Sequence, residues 1–138
     1  MGNKHSRNLL IASAIVAGFA VATAPLARAD ADPAKEMSTA ATHAGLAAKG
    51  TDLKMTQMHL QHVVNCLVGP QGKGFDATPG NPCKDQGAGA IPDNKNAALK
   101  KPMQQALNKA RAGLKTKNMA TAQKDATAAQ TLLTPKSM

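Results

Sequence analysis

From residue 30 onward the apolar positions fall at helical spacing, in blocks separated by short polar breaks. Asp32-Pro33 reads as a helix start, an N-cap followed by proline at the first helical position. Met37, Ala40, Ala41, Ala44 and Ala48 continue it on one face. Lys49-Gly50-Thr51-Asp52 is a tight connection, with Gly50 suited to ending one helix and Asp52 to capping the next. The second helix is expected from Leu53 to Leu67, with Leu53, Leu60, Val64 and Leu67 forming an apolar seam and Gly69-Pro70 stopping it.

Residues 68–92 break the pattern: the segment carries six glycines and four prolines and reads as an irregular loop. A loop of this length inside a small domain is uncommon and often functional. Phe75 and Ile91 are its candidate anchors in the core. A third helix is expected from about Asp93, with Leu99, Met103, Leu107, Ala110 and Leu114 as its stripe. Pro102 lies within that stripe and predicts a kink or a restart. After a second tight connection, Lys115 to Asn118, a fourth helix carries Met119, Ala122, Ala126, Ala129 and Leu133. Short connections make antiparallel neighbours. The pattern therefore predicts an all-α fold: two antiparallel helical hairpins (30–67 and 93–138) forming a four-helix bundle, with the 68–92 loop between them. A faint internal repeat supports the pairing, because Ala44-Gly45-Leu46 before the first turn resembles Ala112-Gly113-Leu114 before the second.

The first 29 residues belong to a different class. Lys4, His5 and Arg7 precede an apolar run from Leu9 to Leu26, and Ala27-Arg28-Ala29 is an A-x-A site. This is the pattern of a cleaved signal peptide of bacterial type, leaving residues 30–138 as one helical domain of a periplasmic or secreted protein. Met1-Gly2 followed by Ser6 also fits a myristoylation pattern, but the export signal explains the same residues. A stable membrane anchor after cleavage is not expected.

Composition sharpens the picture. Past residue 29 the sole aromatic residue is Phe75, and most apolar residues are alanine. An alanine core buries little area per residue, so a small domain built this way needs a staple. Cys66 and Cys83 in an exported chain predict a disulfide that ties the loop back to the second helix. There is no C-x-x-C for thiol exchange and no C-x-x-C-H for covalent haem.

Charge is uneven. Residues 30–92 carry Lys35, Lys49, Lys54, Lys73 and Lys84 against Asp30, Asp32, Glu36, Asp52, Asp76 and Asp85. Residues 93–138 carry eight lysines and Arg111 against Asp93 and Asp125. A basic half can meet an acidic protein or an anionic lipid surface, or it can simply be a solvated lysine face. Nucleic acid is not expected as a partner, because no aromatic platform exists for stacking bases. An enzyme is not expected either. Glu36 is the one glutamate, Ser38 and Ser137 are the only serines past residue 29, and no nucleophile–base pair can be assembled.

The candidate chemistry lies in "KMTQMHLQHVVNC", Lys54 to Cys66. Met55, His59, His62 and Cys66 follow at steps of four, three and four and share roughly one helical face, bordered by Met58. If the first turn centres on Gly50 and Thr51, His43 stands at the height of Met58 and His59. One hairpin would then gather His43, His59, His62, Met55 and Met58. Imidazole with thioether suits Cu(I), and imidazoles alone suit Cu(II), Zn(II) or Ni(II). Haem held by a histidine and a methionine is a lesser option. The plain alternative is packing, with methionine as gap-filler and half-buried histidines.

With these residues placed, the chain resembles the small exported bacterial helical-bundle proteins, among them small periplasmic metal-binding proteins built as antiparallel hairpins with histidines on facing helices. The match rests on the signal sequence, on His43-Ala44 before the turn and on His59 and His62 after it. The resemblance implies metal binding or buffering, copper first, with His43, His59, His62, Met55 and Met58 as ligands. The chain departs from that family in having far fewer histidines and a cysteine-bracketed loop. The segment "HVVNCLVGPQGKGFDATPGNPC" looks like a signature of uncharacterised exported proteobacterial proteins and implies no activity. The other class of function open to the sequence is a non-catalytic interaction module using the basic C-terminal half or the loop.

Overall fold

The computed structural model describes residues 30–135. The expected signal peptide lies outside them. Five helices make up the regular structure of the described residues, with no strand: α1 (Pro33–Ala48), α2 (Leu53–Val68), α3 (Ala90–Asp93), α4 (Ala97–Lys115) and α5 (Met119–Leu133). Three of the four long helices begin on the side chain that the sequence offers. Asp32 accepts from the Lys35 amide at 2.9 Å, Asp52 from Met55 at 2.7 Å and Asn118 from Thr121 at 2.9 Å. These bonds satisfy donors that a helix start leaves unpaired.

Two expectations need correction. The third long helix starts at Ala97, capped by Asn96, and not at Asp93. Asp93 instead ends a separate short helix, α3, inside the segment read as wholly irregular. Pro102 does not restart the helix either, since α4 runs through it without a break. The missing proline N–H falls within two turns of the helix start and costs one backbone bond. Leu99 and Met103 on either side pack into the core, and their burial holds the segment helical.

α1 packs against α2 and α5, and α4 packs against α5 and α2, an arrangement compatible with a helical bundle. Between the helices lie Ala40, Ala44, Ala47, Leu60, Val63, Val64, Leu67, Met103, Ala106, Leu107, Ala110, Ala122, Ala126, Ala129 and Leu133, all buried. Phe75 and Ile91 pack against this core from the loop.

The long loop is held down by more than those anchors. Cys66 and Cys83 form a disulfide, with Cα atoms 5.2 Å apart. The chain at Ala88 and Gly89 lies directly on the end of α2. A Cβ on Gly69 would stand 1.6 Å from the Ala88 carbonyl oxygen, and one on Gly89 would stand 2.5 Å from the Gly69 nitrogen. Both glycines have positive φ, so close approach and backbone conformation together demand the residue. No helix among the described residues is long and apolar enough to cross a membrane.

Candidate metal centre

The short turn from Lys49 to Asp52 sets the height of α1 against α2. His43 stands a little under two turns before it and His59 two turns after, so the two rings face each other. His62 lies one turn further along α2, on the same side as His59. The Nδ1 atom of His43 is 3.2 Å from Nδ1 of His59 and 3.2 Å from Nδ1 of His62. Ring centroids are 5.4 Å apart for His43 and His59, 4.7 Å for His43 and His62, and 5.6 Å for His59 and His62. Each ring offers a nitrogen within 4.8 Å of those of the other two, the only group of three or more such ligand residues among those described.

Hydrogen bonding assigns one tautomer. The Nε2 atom of His62 lies 2.8 Å from the carbonyl oxygen of Pro79. A carbonyl can only accept, so Nε2 carries the proton and donates it. Nδ1 of neutral His62 is therefore bare and faces His43. Neutral His43 can aim its own Nδ1 proton at that lone pair. A cation placed among the three Nδ1 atoms would replace that proton, which then moves to Nε2 of His43.

The surroundings favour uncharged rings at His43 and His59. His62 is buried, with 8% of its surface exposed, and His43 and His59 are half-buried. Burial, with His62 and His59 beside it, lowers the His43 pKa to about 4. His59 is also lowered, by burial first and then by His62. A metal ligand must be an unprotonated imidazole, so the fold holds these two in the state a cation requires.

The spacing suits a small transition-metal ion. Metal–nitrogen bonds of about 2.0–2.1 Å at tetrahedral angles put neighbouring ligand nitrogens about 3.3 Å apart. The two Nδ1 separations from His43 are close to that value. Three nitrogens would leave a fourth position open, as in exchangeable and reactive sites, whereas structural sites are closed by four protein ligands.

The two methionines are placed differently from the histidines. Met55 and Met58 are 41% and 36% exposed and line an open groove of about 890 Å³ with Leu53, Leu114 and Pro79. The Met55 sulfur receives a long contact from the Thr51 hydroxyl at 3.9 Å. Pro79 joins groove and centre, because its carbonyl holds His62 and the residue also lines the groove. Cys66, on the same helical stripe, is committed to the disulfide and is no ligand.

Sequence reasoning passed over the outer partners of the site. Nothing in "DATPG", Asp76 to Gly80, marks Pro79 as a hydrogen-bond acceptor for His62. Asn65 was legible in principle, as a polar residue between Val64 and Cys66 on the buried side of α2. Comparison of the chain with family models, with curated proteins and with solved structures returns no match.

Proposed function

We propose that this is a small exported protein that binds or buffers a transition metal, copper first, without catalysing a reaction. The observation that carries the reading is the convergence of His43, His59 and His62 with Nδ1 atoms 3.2 Å from the central one. The centre draws on both α1 and α2, which we take as the first of two antiparallel hairpins. Ligands whose separation is set before the metal arrives bind better than the same ligands on a mobile chain. Copper leads because Cu(II) stands highest among the divalent first-row ions for nitrogen sites. Three ligands, two of them only half-buried, suit an ion that is taken up and released. Met55 and Met58 enter the proposal as soft thioethers beside the centre, for the reduced ion alone. The disulfide accords with an oxidising compartment, and the periplasm is the compartment we propose.

Titration of the purified protein with Cu(II) and Zn(II), followed by native mass spectrometry, tests the reading. One ion per chain is expected, held against a chelator of known affinity. His43→Ala should lose the largest share of that affinity, because its Nδ1 stands between the other two. Met55→Leu and Met58→Leu should leave Cu(II) binding unchanged and weaken Cu(I) binding. Wild-type affinity no greater than that of the His43→Ala variant would reduce the cluster to packing.

A further inference from the structure

The hydrogen bond that sets the His62 tautomer comes from a loop, and a loop carbonyl is only as well placed as the contacts that hold it. Gly80 closes a turn by donating its amide to the Ala77 carbonyl at 2.9 Å, which brings Pro79 to the face of α2. Asn65, one turn beyond His62 on α2, holds that turn in place. Its Nδ2 donates to the Asp76 carbonyl at 2.6 Å and to the Gly80 carbonyl at 2.9 Å. Its Oδ1 accepts from the Asp76 amide at 3.0 Å and from Gln61 Nε2 at 3.0 Å. Every donor and acceptor of the amide is used, and the residue is 1% exposed. Three of its four bonds go to the two ends of the Asp76–Gly80 segment, and none goes to a metal-binding residue.

Positions 62 and 65 are three apart and share one side of the helix. The segment that Asn65 grips at both ends therefore delivers its middle, Pro79, to His62. Free imidazole has no such constraint. Without the carbonyl, His62 could carry its proton on either nitrogen or turn its ring over. We propose that Asn65 is a positioning residue of the centre: by clamping residues 76–80 it presents the Pro79 carbonyl to His62 and so selects Nδ1 as the ligating atom. The consequence for affinity rests on the metal-binding reading. The control of the tautomer does not, and it is present in the metal-free protein. Partners of this outer kind typically change metal affinity by about 10–100-fold when removed.

The test uses ¹⁵N-labelled, metal-free protein and long-range ¹H–¹⁵N correlation of the imidazoles above pH 8. Wild-type His62 should show a protonated Nε2 and a bare Nδ1. Asn65→Ala should give His62 a mixture of tautomers and a copper affinity lower by about 10–100-fold. Gln57→Ala serves as the control for a merely structural loss. Gln57 donates to the Leu114 and Thr116 carbonyls at 3.0 and 2.9 Å, and its side-chain hydrogen bonds go to the end of α4 rather than to residues 76–80. It should leave the His62 spectrum unchanged. If Asn65→Ala does not fold, Asn65→Asp keeps the acceptor and removes both donors, and the same mixture is expected. A wild-type His62 protonated on Nδ1 overturns the proposal, as does an unchanged tautomer in the folded Asn65 variant. A tautomer shift in the Asn65 variant, together with a wild type that holds no copper, supports the positioning role and removes the metal reading alone.

Discussion

His43 and Glu36 are both on α1, and burial acts on them with opposite consequences. Glu36 is 1% exposed; its Oε1 accepts from the Gly89 amide at 2.9 Å, and its Oε2 has no partner among the described residues. Burial, reinforced by Asp93 and Asp32 and opposed by the Gly89 bond, raises its pKa to about 7. A raised carboxyl stabilises the fold fully below the ordinary value of 4.5 and loses that contribution as pH rises through about 7. The lowered His43 contributes above 6.5, and its contribution is lost as pH falls through about 4. The metal-free protein should therefore have its highest melting temperature between these limits and fall away on both sides. Glu36→Gln keeps the shape and removes the charge, so it should flatten the alkaline fall and leave the acid one. Thermal melts from pH 4 to 9 in a chelator check this, and an unaltered alkaline slope would show that Glu36 does not ionise there. The burial of Glu36 could be read from the chain, because it precedes Ala40 and Ala44 by four and eight and so continues the buried seam. Its partner could not, since Gly89 lies 53 residues away and reaches it only through the fold of the loop.

At the scale of elements, legibility followed how local the determining interaction is. The starts of α1, α2 and α5 were readable because Asp32, Asp52 and Asn118 bond amides three residues ahead. The meeting of His43 with His59 was readable because a short turn leaves little freedom in height. α3 was not, because a single helical turn such as Ala90–Asp93 has no periodicity and depends on packing against α1 and α2. Gly50 follows the α1 C-cap Lys49, at the helix end where it was expected. It does not adopt positive φ, and glycine is required because a Cβ would meet the Thr56 hydroxyl at 2.2 Å. The loop was recognised as a loop, with its disulfide, but not as the outer wall of the histidine centre. Its tethers include the covalent bond at Cys83 and the hydrogen bonds of Asn65. Replacing both cysteines by serine should lower stability by about 2–5 kcal/mol, measured by urea unfolding. The Asn65 bonds should survive in the folded variant, so the His62 tautomer should remain that of the wild type. A variant with unchanged stability would mean that the loop's packing and hydrogen bonds hold it without the disulfide.

Across the whole molecule, the alanine-rich core works only if helices approach closely, and two glycines mark where they do. Gly45 on α1 and Gly113 on α4 occupy matching places in the faint repeat, each shortly before a turn, and both are buried. The sequence made them look equivalent, but their neighbours differ. A Cβ at Gly45 would meet the end of the Gln130 side chain at 2.5 Å. Gln130 is half-buried on α5 and can swing toward solvent. A Cβ at Gly113 would meet Leu60 Cδ1 at 2.6 Å and the Ala122 carbonyl oxygen at 3.4 Å. Leu60 is fully buried at the centre of the core and has nowhere to go. Alanine is a better helix former than glycine by about 0.8–1 kcal/mol at either position. At Gly45 that gain should prevail, so Gly45→Ala should raise stability by about 0.5–1 kcal/mol. At Gly113 the overpacking of Leu60 should outweigh it, because forcing a methyl into a filled core costs about 1–3 kcal/mol. Gly113→Ala should therefore be neutral to destabilising, and Gly113→Ala combined with Leu60→Val should recover part of the loss by making room. Equal effects of the two alanines in urea unfolding would mean that the spacing between α2 and α4 is looser than that between α1 and α5, and that Leu60 can move.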